Sequence, residues 1–133
     1  MAGASFGGPL LKIAGAIAGS GINGATAQYK FVKFSADLTV VLCAATTDVP
    51  CGVLQEPAVS GDAADVAFFG ETILQASGSL SAGNIIATNA SGQAQAAIST
   101  QLVVGQVVNV GGATSAGNEI TALINCANPP IKA

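Results

Sequence analysis

The chain has no histidine and no tryptophan, and its 133 residues contain no arginine. Without histidine, the Ser-His-Asp and Cys-His arrangements that activate a nucleophile are excluded. Zinc sites built on imidazole are lost with it, and no CxxC spacing compensates. The only cations besides the amino terminus are Lys12, Lys30, Lys33 and Lys132, for a net charge of −3. Four scattered lysines cannot neutralise a run of phosphates, so nucleic acid is excluded as a partner. They make no polybasic membrane anchor either. Lys30 and Lys33 lie close together, as residues flanking a strand edge do.

Charge of either sign is scarce. Only 8% of residues are charged and 5% aromatic, while half are apolar. An ordinary soluble domain is about 25% charged. A surface this poor in charge is expected to be covered in part by neighbouring molecules. No apolar run reaches the ~20 residues of a membrane-spanning helix. The first residues lack a positive start, and Lys12 interrupts Leu10 to Ala14, so no secretory signal is expected.

Three cysteines, Cys43, Cys51 and Cys126, are an odd number with no close spacing. Cys43 sits in the apolar run Val40 to Cys43 and reads as a small buried hydrophobe. Whether Cys51 and Cys126 meet in space is left open by the spacing alone. Gly61 to Asp65 lacks the alternating acids and terminal glutamate of a calcium loop. Asp65 and Glu71 are the one carboxylate pair to weigh for glycosidase chemistry, and little aromatic surface accompanies them. Asn89-Ala90-Ser91 matches a glycosylation sequon but reads first as a turn. No phosphate loop follows Gly111-Gly112. The chain is therefore expected not to be an enzyme, and to take no cofactor, metal or small-molecule substrate.

What is present is a repeated grammar of brief apolar runs and Gly, Asn or Ser turns, which predicts an all-β body, a small β-barrel or β-sandwich. Gly52 to Glu56 reads as a strand stopped by Pro57, followed by the loop 58–62. Asp65 to Phe69, closed by Gly70, and Thr72 to Ala76 read as two further strands. Earlier strands are expected at Gln28 to Phe34 and Leu38 to Cys43, the latter buried on both faces. Ile85 to Thr88 and Gln93 to Ala96 flank Asn89-Ala90-Ser91-Gly92 as a hairpin. Gln101 to Asn109 and Glu119 to Asn125 close the sheet around the tip 111–118. In the last strand Ile120, Ala122 and Ile124 share a face, and Leu123 breaks the alternation.

Residues 1–27 differ from the rest, being mostly Gly, Ala and Ser with single apolar anchors at Phe6, Leu10, Leu11, Ile13, Ile17 and Ile22. Leu10, Ile13 and Ile17 have helical spacing, which predicts about two turns over 10–18, weakened by Gly15 and Gly19. The segment reads as an extended or partly helical arm on a β-domain of residues 28–126, with 127–133 a tail stiffened by Pro129-Pro130. The six apolar anchors are the expected partner contacts. The alternative is that they cover the base of their own domain.

From residue 29 to 125, CGVLQEPAVSGDAADVAFFGET, LSAGNIIATNASGQAQAA, VVGQVVN and EITALIN together resemble the capsid decoration (cement) proteins of tailed bacteriophages. The arm shares no motif with them. The resemblance implies a virion protein on the outer surface of the mature head, made in the host cytoplasm. It implies the major capsid protein as partner, bridged between subunits to stabilise the shell. A homo-oligomer is implied too, a trimer before a dimer. Two other readings follow from composition: an exposed head-fibre or host-adhesion module, and a self-assembling filament or lattice subunit. The loops GGATSAGN and SGSLSAG are poor in aromatic and charged groups, which counts against adhesion.

Overall fold

A computed structural model describes residues 9–111 and 115–133. The strands are β1 (Leu10–Lys12), β2 (Ile17–Ala18), β3 (Asn23–Gly24), β4 (Phe31–Ala36), β5 (Thr39–Leu42) and β6 (Gly52–Leu54). They continue with β7 (Ala58–Val59), β8 (Val66–Gln75), β9 (Ile85–Thr88), β10 (Ala94–Ala96), β11 (Gly105–Asn109) and β12 (Glu119–Asn125). One 3-10 turn, Ala25–Ala27, interrupts them. Nine strands follow the order β10-β9-β11-β12-β8-β6-β4-β5-β2, β1 pairs with β8, and β3 and β7 form a separate ribbon.

The sheet doubles over on itself as a sandwich-like body and does not close as a barrel. The fold-over is stitched where Ala76 bridges Ala94 and where the Phe31 N–H donates to the Gly92 carbonyl at 2.7 Å. That carbonyl ends the β9–β10 turn, in which the Asn89 side-chain oxygen accepts the N–H groups of Ser91 and Gln93. The turn predicted at Asn89 to Gly92 is therefore present.

Two apolar cores lie on opposite faces of the central strands. Phe31, Val53 and Ala67 belong to the first, with Leu74, Ile86, Ile120 and Ile124. Their sequence neighbours Val32, Leu54 and Val66 belong to the second. Successive strand residues point to opposite faces, so the start of β4, β6 and the start of β8 are apolar at successive positions because both faces are covered there. In β5, by contrast, only Val40 is fully buried, and the residues beside it are half-buried.

The second core is roofed by the amino-terminal segment. Ala16, Ala18, Ile22 and Ala27 are all buried in it. The segment is extended here, which corrects the helical reading of 10–18. Its backbone groups find partners in the domain: Ile13 N–H donates to Val66 O, Ile17 N–H to Leu38 O, and Gly19 N–H to Val40 O. A two-turn helix gains little alone, and tertiary pairing outweighs it. Gly15 adopts φ 77°, which ends any helical path.

Two further differences concern the stretch 52–76. The expected loop 58–62 contains β7, whose Ala58 pairs with Gly24 and is buried. The two strands expected at 65–69 and 72–76 are one ten-residue strand that runs through Gly70. At Gly70 φ is 125°, so the strand bends without stopping.

Candidate functional site

Among the exposed apolar side chains, two groups line hollows in the surface, while Val49, Val59, Ile98, Val108 and Ile131 line neither. The first lies across β1, β8, β12 and β9. Phe69 of β8 stands between Leu11 of β1 and Asn125 of β12 in the strand register. Leu123 lies opposite Glu71 on one side and Gln106 on the other, and Gln106 in turn faces Ile85. Phe69 is 47% exposed and Leu123 49%. Between them runs an open groove of about 370 Å³ lined by Phe69, Gly70, Ile85, Val103 and Leu123, with Gln106 and Asn125 its polar rim. A second hollow of about 260 Å³ adjoins it, walled by Pro9, Leu10, Leu11 and the same Phe69 and Gly70. Gly105 lets β11 approach here, because a Cβ at that position would meet the Leu123 carbonyl.

The second place is the tip of the β4–β5 hairpin. Phe34 and Leu38 are each about half exposed, and Ile17 of β2 lies alongside, its N–H donating to the Leu38 carbonyl at 2.8 Å. Leu38 has φ 55°, a left-handed conformation that a branched side chain enters at a cost of about 1–2 kcal/mol. Leu38 is thus a strained and half-exposed leucine at a tight turn. The groove is built on β8, β9, β11 and β12, and the hairpin tip on β2, β4 and β5, so the two apolar places belong to different stretches of the sheet order.

The six residues expected from sequence do not form one cluster. Phe6 lies outside the described residues. Leu10 is half-buried against the first core and Ile13 against the second. Ile22 is 2% exposed and is a core residue. Leu11 and Ile17 are exposed, and each joins a different patch. Phe34, Leu38, Phe69, Ile85 and Leu123 were not among the expected contacts. Leu123 had a signal, since it breaks the alternation of its strand, and that is how an outward leucine looks in sequence.

The chemistry weighed earlier is answered by the partners of each group. The Lys12 ammonium meets the Asp65 carboxylate at 3.1 Å, and Glu71 faces Leu123 in the strand register. The Asp62 carboxylate accepts the Val59 N–H, closing its own turn. Among the described residues no group of three His, Cys, Asp or Glu side chains is placed to hold a metal. Cys43, Cys51 and Cys126 are free thiols. Burial pushes Cys43 up to about 12, with help from the Asp48 charge, and Cys51 up to about 11. Burial raises Cys126 as well. Thiols held this far from ionisation are poor nucleophiles. Lys33 bonds Asp48 at 2.9 Å, and the same carboxylate accepts the Ala44 and Ala45 N–H groups, so Lys33 pins the β5–β6 loop.

No family model and no curated protein matches this sequence. Solved structures do match its fold. The base of the head fiber protein gp8.5 of bacteriophage phi29 superposes with a TM-score of 0.64 at 18% identity, over 89% of this chain and 96% of that one. A chain from the capsid of Myoviridae phage XM1 superposes with a TM-score of 0.60, also at 18% identity, over 89% of this chain and 84% of that one. The chain thus has a fold found in structural proteins of phage heads.

Proposed function

We propose that this protein is a capsid decoration protein that binds the outer surface of the mature phage head and bridges neighbouring major capsid subunits. The observation that carries the reading is the pair of separate apolar patches on a body with so little charge. A bridging protein needs two contact faces, and each can be modest because a lattice of identical sites supplies avidity. Leu11, Phe69 and Leu123 serve one face, and Ile17, Phe34 and Leu38 the other. Of the expected arm anchors among the described residues, Leu11 and Ile17 are the exposed ones. The fold shared with phage head proteins supports this reading, as does the resemblance in sequence. A homotrimer around a local three-fold axis is the expected assembly.

Co-sedimentation with expanded shells that lack the protein is the test. Saturable binding at regular lattice positions is the expected result, and no binding overturns the reading. A second reading, the base of a head fibre, is favoured by the likeness to the phi29 fiber base over nearly all of that chain. Imaging of the same pelleted shells separates the two. A flush layer at every lattice site fits cement, and sparse projecting density fits a fibre base.

A further inference from the structure

Each apolar patch holds one carboxylate that has no partner among the described residues. In the first it is Glu71, half-buried on β8. Glu71 lies directly opposite Leu123 in an unbroken register and follows Phe69 by two residues, so the three side chains share a face. In the second it is Asp37, exposed at the tip of the β4–β5 hairpin. Asp37 walls a hollow of about 420 Å³ together with Phe34, Ala36 and Leu38. Neither carboxylate accepts a hydrogen bond or meets a cation among the described residues. The adjoining lysines are turned to other acids. Lys12, next to Leu11, holds Asp65 at 3.1 Å, and Lys33, next to Phe34, holds Asp48 at 2.9 Å. Both patches are thus apolar surfaces with one uncompensated negative charge.

We infer that both patches dock on copies of one partner, and that each copy presents a Lys or Arg set among apolar side chains. A carboxylate pressed into apolar contact loses its water, and a cation from the other side is what offsets that loss. A partner surface of apolar groups alone is therefore rejected at Glu71 and at Asp37, and an acidic one is repelled. The inference rests on the bridging reading and adds what that reading requires of the shell. Because the two patches share one chemistry, they fit two neighbouring copies of the same subunit rather than two different proteins. A second copy of this chain is a poorer match. Its lysines without a partner among the described residues are Lys30 and Lys132, and only Lys132 adjoins an exposed large apolar side chain, Ile131. One such segment cannot serve two patches.

The test compares wild type, Glu71→Gln, Asp37→Asn and the double variant in co-sedimentation with expanded shells that lack the protein. Neither side chain has a partner to lose, so each variant should melt within a few degrees of wild type. Each single variant should bind about tenfold more weakly, and the double variant more weakly still. Wild-type binding should weaken between about 0.05 M and 0.5 M salt. Glu71→Lys should bind less than Glu71→Gln. A double variant that binds as tightly as wild type overturns the inference and leaves the bridging reading standing. Shells that bind nothing overturn that reading instead. The partner's chemistry is then decided by titrating the acetylated dipeptide amides Phe-Arg and Phe-Glu into protein with labelled leucine methyl groups. Shifts at Leu123 and Leu38 from Phe-Arg alone support it, and equal shifts or none from the two peptides overturn it. Self-association of the free protein that is lost in both Lys132→Ala and Glu71→Gln also overturns it, assigning the groove to a second copy.

Discussion

The Pro9 carbonyl oxygen rests on Gly70 at the place where any other residue would carry its Cβ. Gly70 is also at φ 125°, so a side chain there is opposed both by the backbone and by β1. Gly70→Ala is expected to destabilise the fold by about 1–3 kcal/mol and to detach β1 from β8. Urea unfolding measures the first effect, and amide exchange at Leu11 and Ile13 the second. An unchanged midpoint would show that β8 tolerates a side chain at its bend.

Ile22 belongs to the amino-terminal segment by sequence and to the second core by packing. Ile22→Ala should cost about 2–5 kcal/mol, the usual range for a buried isoleucine truncation. Deletion of residues 1–27 should cost more, since it exposes Val32, Val40, Leu54 and Val66 together. Thermal unfolding of the two variants checks this, and a deletion that melts near wild type would show that the roof is dispensable.

Leu38 carries strain at an exposed turn. Leu38→Gly relieves the left-handed backbone but adds freedom to the unfolded chain, so stability should change by less than about 1 kcal/mol, in either direction. Attachment to shells should weaken at the same time, because the patch loses its leucine. Melting temperature and shell binding measured on one preparation separate the two effects.

One charged substitution in each patch tests bridging. Leu11→Glu and Phe34→Glu lie on exposed side chains, so each should leave the melting temperature within a few degrees of wild type. Each should reduce shell binding, and the pair together should abolish it if both faces are engaged. Loss from one variant with none from the other would point to a single contact face.

Asp48 is held below the usual carboxylate range, first by the hydrogen bond from Lys33 and then by the Ala44 N–H. A depressed folded value means the unfolded chain takes up the proton first as pH falls. The carboxylate's contribution is complete above the unfolded value of about 4 and is lost as pH drops through the lower folded value. Wild type should therefore lose stability below about pH 4 more steeply than Asp48→Asn. Denaturation midpoints at pH 3 and pH 6 (chosen about one and two units either side of the usual carboxylate value) compare the slopes.

Much of the body was legible because its signals are local. The hairpin around Asn89 to Gly92, the closing strand Glu119 to Asn125 and the apolar run through Val40 follow from turn chemistry and period-two patterning. What was not legible depends on partners distant in sequence. Leu10, Ile13 and Ile17 suit a helix or an extended segment equally, and the choice is made by Val66, Leu38 and Val40, far along the chain. Gly70 reads as a stop because glycine usually ends a strand. Here β1 on one side and β12 on the other carry the strand through. The patches escaped notice because each collects single residues from strands that sequence does not place side by side.

The two cores differ in the size of their walls. The second draws on Ala16, Ala18, Ala27, Ala58 and Ala64, while the first holds Phe31, Leu74, Ile86, Ile120 and Ile124. In most sheets a one-residue slip is forbidden because it turns polar groups inward. In β6 and in the first two residues of β4 both faces are apolar, so polarity is not what forbids it there. A slip would instead drive Phe31 into a chamber half of whose buried residues are alanines and leave a void where the ring had been. Strand alignment at these positions is kept by volume, as a key is kept by its lock. Mutations that even out the two chambers should cost it a unique register before they cost it compactness.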